Sequence, residues 1–295
     1  MPAGRVCDMA KLVALSPSRA NDFVQCPLKF RYRSIDKLPE PLSPAAFKGT
    51  LVHAVLERLF DAVAPERTWE KTIELLPIEL TRLTDEDDRV AELFPAEEDR
   101  RQLLNESAEL CRSYFSLEIP QLLEPDRREE FVQVPLEGGP LLRGFIDRVD
   151  AAADGAVRLV DYKTGKQPKP QYGREADFQM RFYALMHYLS EGQLVHTLKL
   201  LYLGSRSSLD MHPTMADIER TEFEVRGIWN EITDAAQSGR WRPRRSPLCN
   251  WCSFKPICPA WGNTAPAAPE ITEIAGVDLL SGQGEPSELH DDQQP

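Results

Sequence analysis

A chain of 295 residues that is 42% hydrophobic and 28% charged can bury one large core or two modest ones. It holds no apolar run near the roughly 20 residues of a membrane span, and the start MPAGRVCDMAKLVAL has no apolar stretch long enough for an export signal, so a cytoplasmic globular protein with no membrane contact is expected. The net charge of −12 weighs against a polyanionic partner only until it is divided: Asn263 to Pro295 hold seven acidic side chains and no lysine or arginine, and taking those away leaves −5 for the rest. Six cysteines in such a chain suggest metal ligands or buried thiols more than disulfides.

In LSPSRANDFVQCPLKFRYRSI (Leu15 to Ile35), Ser16 is suited to cap a helix whose first residue is Pro17, and Pro27 should break or kink it just after Cys26. A cysteine standing alone there is by default a small buried hydrophobe. From Ala46 to Val63, Leu51, Val52, Val55, Leu56, Leu59 and Phe60 recur at helical spacing. His53 and Glu57 share one face of that helix, with Gly49 a turn earlier leaving room for close approach. Taken alone, His53 is an ordinary helix histidine. Residues 65–130 are helical in character and charge-dense, as in TDEDDRVAELFPAEEDRR, and suggest a solvated helical insertion in which Cys111 is a buried thiol. A short strand is expected over Phe131 to Leu136.

LLRGFIDRVDAAADGAVRLVDYKTGK (Leu141 to Lys166) predicts a hairpin, with strands over Leu141 to Val149 and Val157 to Thr164 and turn chemistry at Ala153-Asp154-Gly155. Asp161 and Lys163 lie two residues apart and share a strand face. If the turn is centred on Asp154, Asp147 and Asp161 are equally distant from it and face each other across the ladder. Two opposed carboxylates repel unless a cation sits between them, so the pattern suggests a metal site. Glu175 to Leu189 predicts a helix with Phe178, Phe182, Leu185, Met186 and Leu189 toward the core and Gln179 and Tyr183 together on another face. A strand over Val195 to Gly204 and a strand plus a long helix within Pro213 to Ser238 complete an α/β pattern.

Cys249-x2-Cys252-x5-Cys258 forms a chelate hook with a third thiol close by. Cys26, followed by proline as Cys258 is, is the best candidate for a fourth ligand. Spacing alone leaves four-cysteine Zn²⁺ and a [4Fe-4S] cluster both open. Lys29, Arg31 and Arg33 on one arm, and Arg240, Arg242, Arg244, Arg245 and Lys255 on the other, with Trp241 and Trp251 among them, suggest a surface for phosphates and stacked bases of single-stranded DNA. From Asn263 onward the composition suggests a disordered acidic tail. No G-x-x-x-x-G-K-[ST] motif occurs, so a motor would have to be supplied in trans.

Five segments in order, SPSRANDFVQCPLKFRY, GTLVHAVLE, GFID, VDYKTG and QMRFY, resemble the RecB-like exonuclease branch of the PD-(D/E)XK nucleases, over most of the chain up to Gly262. The cysteine pattern resembles its iron-sulfur members, the AddB-type nuclease domains and CRISPR-adaptation exonucleases, and that resemblance favours [4Fe-4S] over zinc. It implies a restriction-endonuclease-like core over residues 1–262, a mixed central sheet flanked by helices, carrying the 65–130 insertion and a C-terminal cysteine-ligated segment. It implies Mg²⁺ or Mn²⁺ held by His53, Asp147, Asp161 and the Tyr162 carbonyl, with Lys163 at the attacking water and Gln179 and Tyr183 positioning substrate. Glu57 stands level between a metal-linked acid and a surface residue. The implied activity is a DNA exonuclease acting on single-stranded or end-exposed DNA in repair or recombination, with a possible helicase partner. The alternative is a catalytically weak DNA-binding or scaffolding subunit of a helicase-nuclease assembly.

Overall fold

The computed structural model describes residues 10–275. In chain order it contains β1 (Ala10–Leu12), β2 (Ala14–Leu15), α1 (Pro17–Gln25), α2 (Pro27–Phe30) running into a π-helical turn over Arg31–Ile35, α3 (Pro44–Leu59), α4 (Trp69–Glu86), α5 (Arg89–Leu93), α6 (Glu97–Tyr114), β3 (Arg127–Pro135), β4 (Leu141–Ala151), β5 (Val157–Lys163), α7 (Arg174–Glu191), β6 (Thr197–Tyr202), β7 (Ser207–Met211), α8 (Met215–Ser238) and β8 (Ile271–Ile274). None of the described helices is long and apolar enough to cross a membrane.

The sheet is mixed, and the long strand β4 is its spine. β3 runs antiparallel along one edge of β4. Leu141 and Leu142 pair with β3 and also, in parallel, with Ala14 and Leu15 of β2, so β2 must lie on the opposite edge. β5 shares that second edge but pairs only with Arg148 to Ala151. Residues 143–147 of β4 are therefore left between β2 and β5 without a strand partner on that side, and this fork is where the chemistry gathers. β6 continues the sheet parallel to β5, and β7 closes it antiparallel to β6.

Strand alternation sorts the apolar residues into two cores. Val157 and Leu159 of β5 pack with Phe178, Phe182, Leu185 and Met186 of α7 and with α1 and α8. Val160 and Tyr162 point the other way, against Leu51, Val52, Val55, Leu56 and Leu59 of α3 and the α4–α6 insertion. The insertion thus contributes a full face of the core rather than only solvated surface. Helix α1 starts as its sequence predicts: Ser16 Oγ accepts from Arg19 N at 3.3 Å with Pro17 at the first position, and Cys26 is extended between α1 and α2.

Three boundaries differ from the sequence reading. Strand β3 begins at Arg127, inside the stretch assigned to the insertion and ahead of the expected Phe131. Pro213 to Ser238 contributes only a helix, capped by Thr214, and the strand before it is the polar edge strand β7, whose exposed Ser-Ser-Leu-Asp-Met lacks the apolar alternation that announces a strand. Residues 263–275, expected to begin a disordered tail, instead run back to the start of the fold, where β8 pairs in parallel with β1. The rest of that tail, 276–295, lies outside the described residues.

Candidate active site

The β4–β5 register centres on Asp154, since Arg148 pairs with Val160 and Ala151 with Val157. The next pair in sequence would be Asp147 and Asp161, but the ladder stops one step short and the strands part there. Asp147 Oδ2 accepts the backbone N–H of Tyr162 at 2.7 Å, in place of the missing strand bond. Asp147 is nearly buried and Asp161 is buried.

His53 reaches this point from α3. Its Nε2 lies 2.8 Å from the Tyr162 carbonyl, which can only accept, so Nε2 carries the hydrogen. Nδ1 is 3.4 Å from Asp147 Oδ2. Histidines that ligate metals characteristically donate their second N–H to a backbone carbonyl in this way, leaving the other nitrogen for the ion. The Tyr162 carbonyl, expected as a ligand, is engaged by His53.

The third member of the cluster is Glu129, which the sequence reading missed. Ligand atoms of His53, Glu129 and Asp147 all lie within 4.8 Å of one another, the one such group of three or more found among the described residues. Neither Asp161 nor Glu57 belongs to that group. The β3–β4 register pairs Arg128 with Arg148 and Glu130 with Ile146, so Glu129 falls opposite Asp147. Its φ of 43° puts a non-glycine residue in the left-handed region, a strained conformation of the kind that collects at functional sites. Burial and then the Asp147 charge push the Glu129 carboxyl up to about 7. Burial alone would lower His53, but the Asp147 carboxylate outweighs it and raises the imidazole to about 9.

Asp161 anchors a second set. Lys163 Nζ lies 2.7 Å from Asp161 Oδ2 and donates to Gln179 Oε1 at 2.6 Å. Gln179 Nε2 donates to Asp161 Oδ1 at 3.0 Å and contacts Tyr183 OH at 2.9 Å. Despite the close ammonium, Asp161 Oδ2 has no aligned hydrogen bond and is buried. Burial, and next the Asp147 charge, raise Asp161 to about 6. A buried carboxylate oxygen that has an ammonium beside it but no aligned hydrogen bond, next to a carboxylate-and-imidazole cluster, is donor chemistry that suits a hard divalent cation. α7 is pressed onto the sheet here because residue 144 is glycine: a Cβ there would stand 2.8 Å from Tyr183 Cε1. Gly144, Gln179 and Tyr183 line a cleft of about 470 Å³ with Asn21 of α1 and Ser16, which caps that helix.

The PD-(D/E)XK nuclease superfamily model matches residues 14–259. The chain belongs to that superfamily. The Gene 69 protein of Mycobacterium phage D29 is 23% identical over 274 residues, covering 85% of this chain and 98% of the phage protein. The Gene 69 protein of Mycobacterium phage L5 is 28% identical over 127 residues, covering 42% of this chain and 41% of its own. A solved structure of a provisionally named exonuclease from Eubacterium rectale shares the fold at a TM-score of 0.50 and 14% identity, covering 81% of this chain and 86% of that one. The mixed sheet with helices on both faces is the restriction-endonuclease-like core of this nuclease superfamily.

In this PD-(D/E)XK chain the four cysteines singled out from the sequence come together. Cys26, Cys249, Cys252 and Cys258 line one cavity of about 300 Å³. Burial, and to a lesser degree the neighbouring thiols, raise the Cys258 thiol. Arg244 and Arg245 line the same cavity, and Arg245 and Lys255 each sit 4.3 Å from the Trp261 ring, an aromatic the sequence reading passed over. Trp251 is 78% exposed. Arg240 and Arg242, also exposed, line a separate cleft against α8.

Arg31 is corrected. Expected at a nucleic-acid surface, it is buried, bonded to Asp36 at 3.0 Å and to the Pro266 carbonyl at 2.7 Å, so its charge is spent inside the fold. Arg33 is likewise occupied by Asp22 and Glu40. Trp241 is buried and stacks on Phe30 at 6.0 Å, closing the core rather than offering a face to a base.

Proposed function

We propose that this nuclease is a metal-dependent DNA exonuclease acting on single-stranded or end-exposed strands in repair or recombination. The observation that carries the reading is the convergence of His53, Glu129 and Asp147 within 4.8 Å, at the fork beside Asp161 and Lys163. His53 Nδ1 and the carboxylates of Glu129 and Asp147 would hold Mg²⁺ or Mn²⁺, with Asp161, ion-paired to Lys163, as a further carboxylate for the ion. Bound there, the divalent cation supplies Lewis acidity and neutralises charge that grows on the phosphate during hydrolysis. A nitrogen ligand favours Mn²⁺ over Mg²⁺.

The ammonium of Lys163 orients the attacking water and a phosphate oxygen. Gln179 holds Lys163 and Asp161 in one arrangement, and Tyr183 holds Gln179, so both are positioning residues. Exposed Arg244, Arg245 and Trp251 extend the strand's path toward the cysteine arm. Attack at ends is the reading suggested by the name of the exonuclease that shares the fold, and processive action on duplex would need a helicase in trans.

The four cysteines that line one cavity would hold a [4Fe-4S] cluster, the reading that the resemblance of the cysteine pattern favours, with four-cysteine zinc as the alternative. Such a cluster would tie Cys26 to the C-terminal arm around the nuclease core.

The test is degradation of end-labelled single-stranded DNA in Mn²⁺ by anaerobically purified protein, wild type against Asp161→Ala and Lys163→Ala. Metal-dependent shortening of the strand by wild type alone is expected. Equal cleavage by all three would remove the catalytic assignment, and binding without cleavage would favour a scaffolding role. Iron and sulfide analysis of the same sample decides the cluster, with zinc and no iron overturning it.

A further inference from the structure

Two exposed phenylalanines stand beside the proposed metal site with no role in the fold's core. Phe131 on β3 and Phe145 on β4 are direct cross-strand partners, 51% and 55% exposed, with ring centroids 5.0 Å apart and planes at 45°. Their strand neighbours Val132 and Ile146 turn inward to the core, so alternation leaves this pair outside. Phe131 is two residues beyond Glu129 and Phe145 two before Asp147, a displacement of about 7 Å along each strand. Both line the same cleft as Gly144, Gln179 and Tyr183.

Arg143, two residues farther along β4, also lines that cleft. Half-buried Arg19 of α1 feels its charge: burial, and then Arg143, lower it below the ordinary arginine range. Neither guanidinium has a carboxylate partner among the described residues, and Arg19 finds only the Ala14 carbonyl at 3.3 Å. Two like charges held together without a counterion present a ready seat for an anion.

We infer that Phe131 and Phe145 form a stacking platform for an unpaired base next to the scissile phosphate, with Arg143 on the adjacent phosphate. This rests on the nuclease reading above and names its substrate class: a strand whose base faces are free. In duplex each base face is already stacked on its neighbours, whereas a single strand can lay a base on the aromatic pair, and every base has such a face. The site therefore selects unpaired strands without selecting sequence.

The experiment is binding of a short labelled single-stranded oligonucleotide in EDTA, and of the same oligonucleotide with abasic sites, to full-length wild type, Phe131→Ala, Phe145→Ala, Phe145→Tyr and Arg143→Gln. Wild type should lose about ten- to a hundredfold in affinity on the abasic strand. Phe145→Ala and Phe131→Ala should lose a similar factor on the normal strand and little more on the abasic one. Phe145→Tyr should bind as wild type does, and Arg143→Gln should flatten the salt dependence by about one ion. The inference is overturned if the alanine variants match wild type on both strands, if wild type binds no single strand, or if sedimentation shows that the pair instead joins two copies of the chain. Abasic-sensitive binding without cleavage in Mn²⁺ would remove the nuclease reading and leave the platform standing. Cleavage with no abasic penalty would do the reverse.

Discussion

The backbone N–H of Tyr162 donates to Asp147 Oδ2 over 2.7 Å, at the point where β4 and β5 stop pairing. One carboxylate thus both completes the strand edge and faces the metal cluster. The two roles separate by substitution. Asp147→Asn keeps an oxygen that can accept the Tyr162 N–H but loses the charge, so it should remain folded to within about 1 kcal/mol and lose activity. Asp147→Ala leaves a buried donor unpaired and should cost about 1–3 kcal/mol in addition. Urea denaturation of both variants checks this, and equal stabilities would mean that the bond contributes nothing to the fold.

Glu129 makes the opposite trade. A strand residue at φ 43° stores strain of about 1–3 kcal/mol that glycine would relieve. Glu129→Gly should therefore gain on the order of 1 kcal/mol in stability, allowing for the glycine's extra freedom when unfolded. It should also weaken Mn²⁺ binding at least about tenfold. Glu129→Gln should weaken binding without the stability gain. Calorimetric metal titration beside chemical denaturation reads both, and a Glu129→Gly variant that binds Mn²⁺ normally would take Glu129 out of the site.

Much of this was legible from the chain because strand register follows from turn position. Centring the hairpin on Asp154 placed Asp147 and Asp161 correctly, up to the last step, where the fork opens. The same reasoning about Glu137-Gly138-Gly139-Pro140, with Gly138 at φ 64°, puts Glu129 across from Asp147. That signal was lost by starting β3 at Phe131, four residues late and two beyond Glu129. The basic arms were harder for a physical reason: residue type does not reveal which cations already have partners. Arg31 and Arg33 meet Asp36, Asp22 and Glu40 through a π-helical turn that no local pattern announces.

Arg148 was equally invisible, an arginine inside an apolar strand. It is fully buried and makes hydrogen bonds to Glu118 at 2.8 and 3.0 Å, to Tyr162 OH at 2.8 Å and to Tyr114 OH at 3.3 Å, with Asp150 also in contact. It follows Asp147 in sequence and holds the hydroxyl of Tyr162, whose backbone N–H and carbonyl meet Asp147 and His53, so the network adjoins the metal site. Arg148→Met should destabilise by about 3–5 kcal/mol because Glu118 is left buried with only the distant Arg158, 4.0 Å away, to offset its charge. Adding Glu118→Leu should restore much of that loss. Thermal denaturation of the single and double variants decides it, and additive losses would show that the pair is not coupled.

The pH dependence of stability should reveal the metal site without any nuclease assay. Burial and Asp147 raise Asp161 from 3.8 to about 6 and Glu129 from 4.5 to about 7, so the metal-free fold binds protons more tightly than the unfolded chain. For such acids stability falls as pH rises through the interval between the two values. His53, raised from 6.5 to about 9 by Asp147 against the effect of burial, contributes stability below 6.5 that is lost as pH climbs toward 9. All three groups therefore destabilise the metal-free protein in the same direction, from weakly acidic to alkaline pH. A divalent cation needs these carboxylates ionised and the imidazole lone pair free, so its stabilisation grows along the same axis. The rise in Tm on adding Mn²⁺ should be small near about pH 5 and largest near about pH 8, and Glu129→Gln with Asp161→Asn should flatten it. Differential scanning fluorimetry across that range, with and without Mn²⁺, makes the comparison, and a metal shift that is constant or larger at acid pH would show that these side chains are not the ligands.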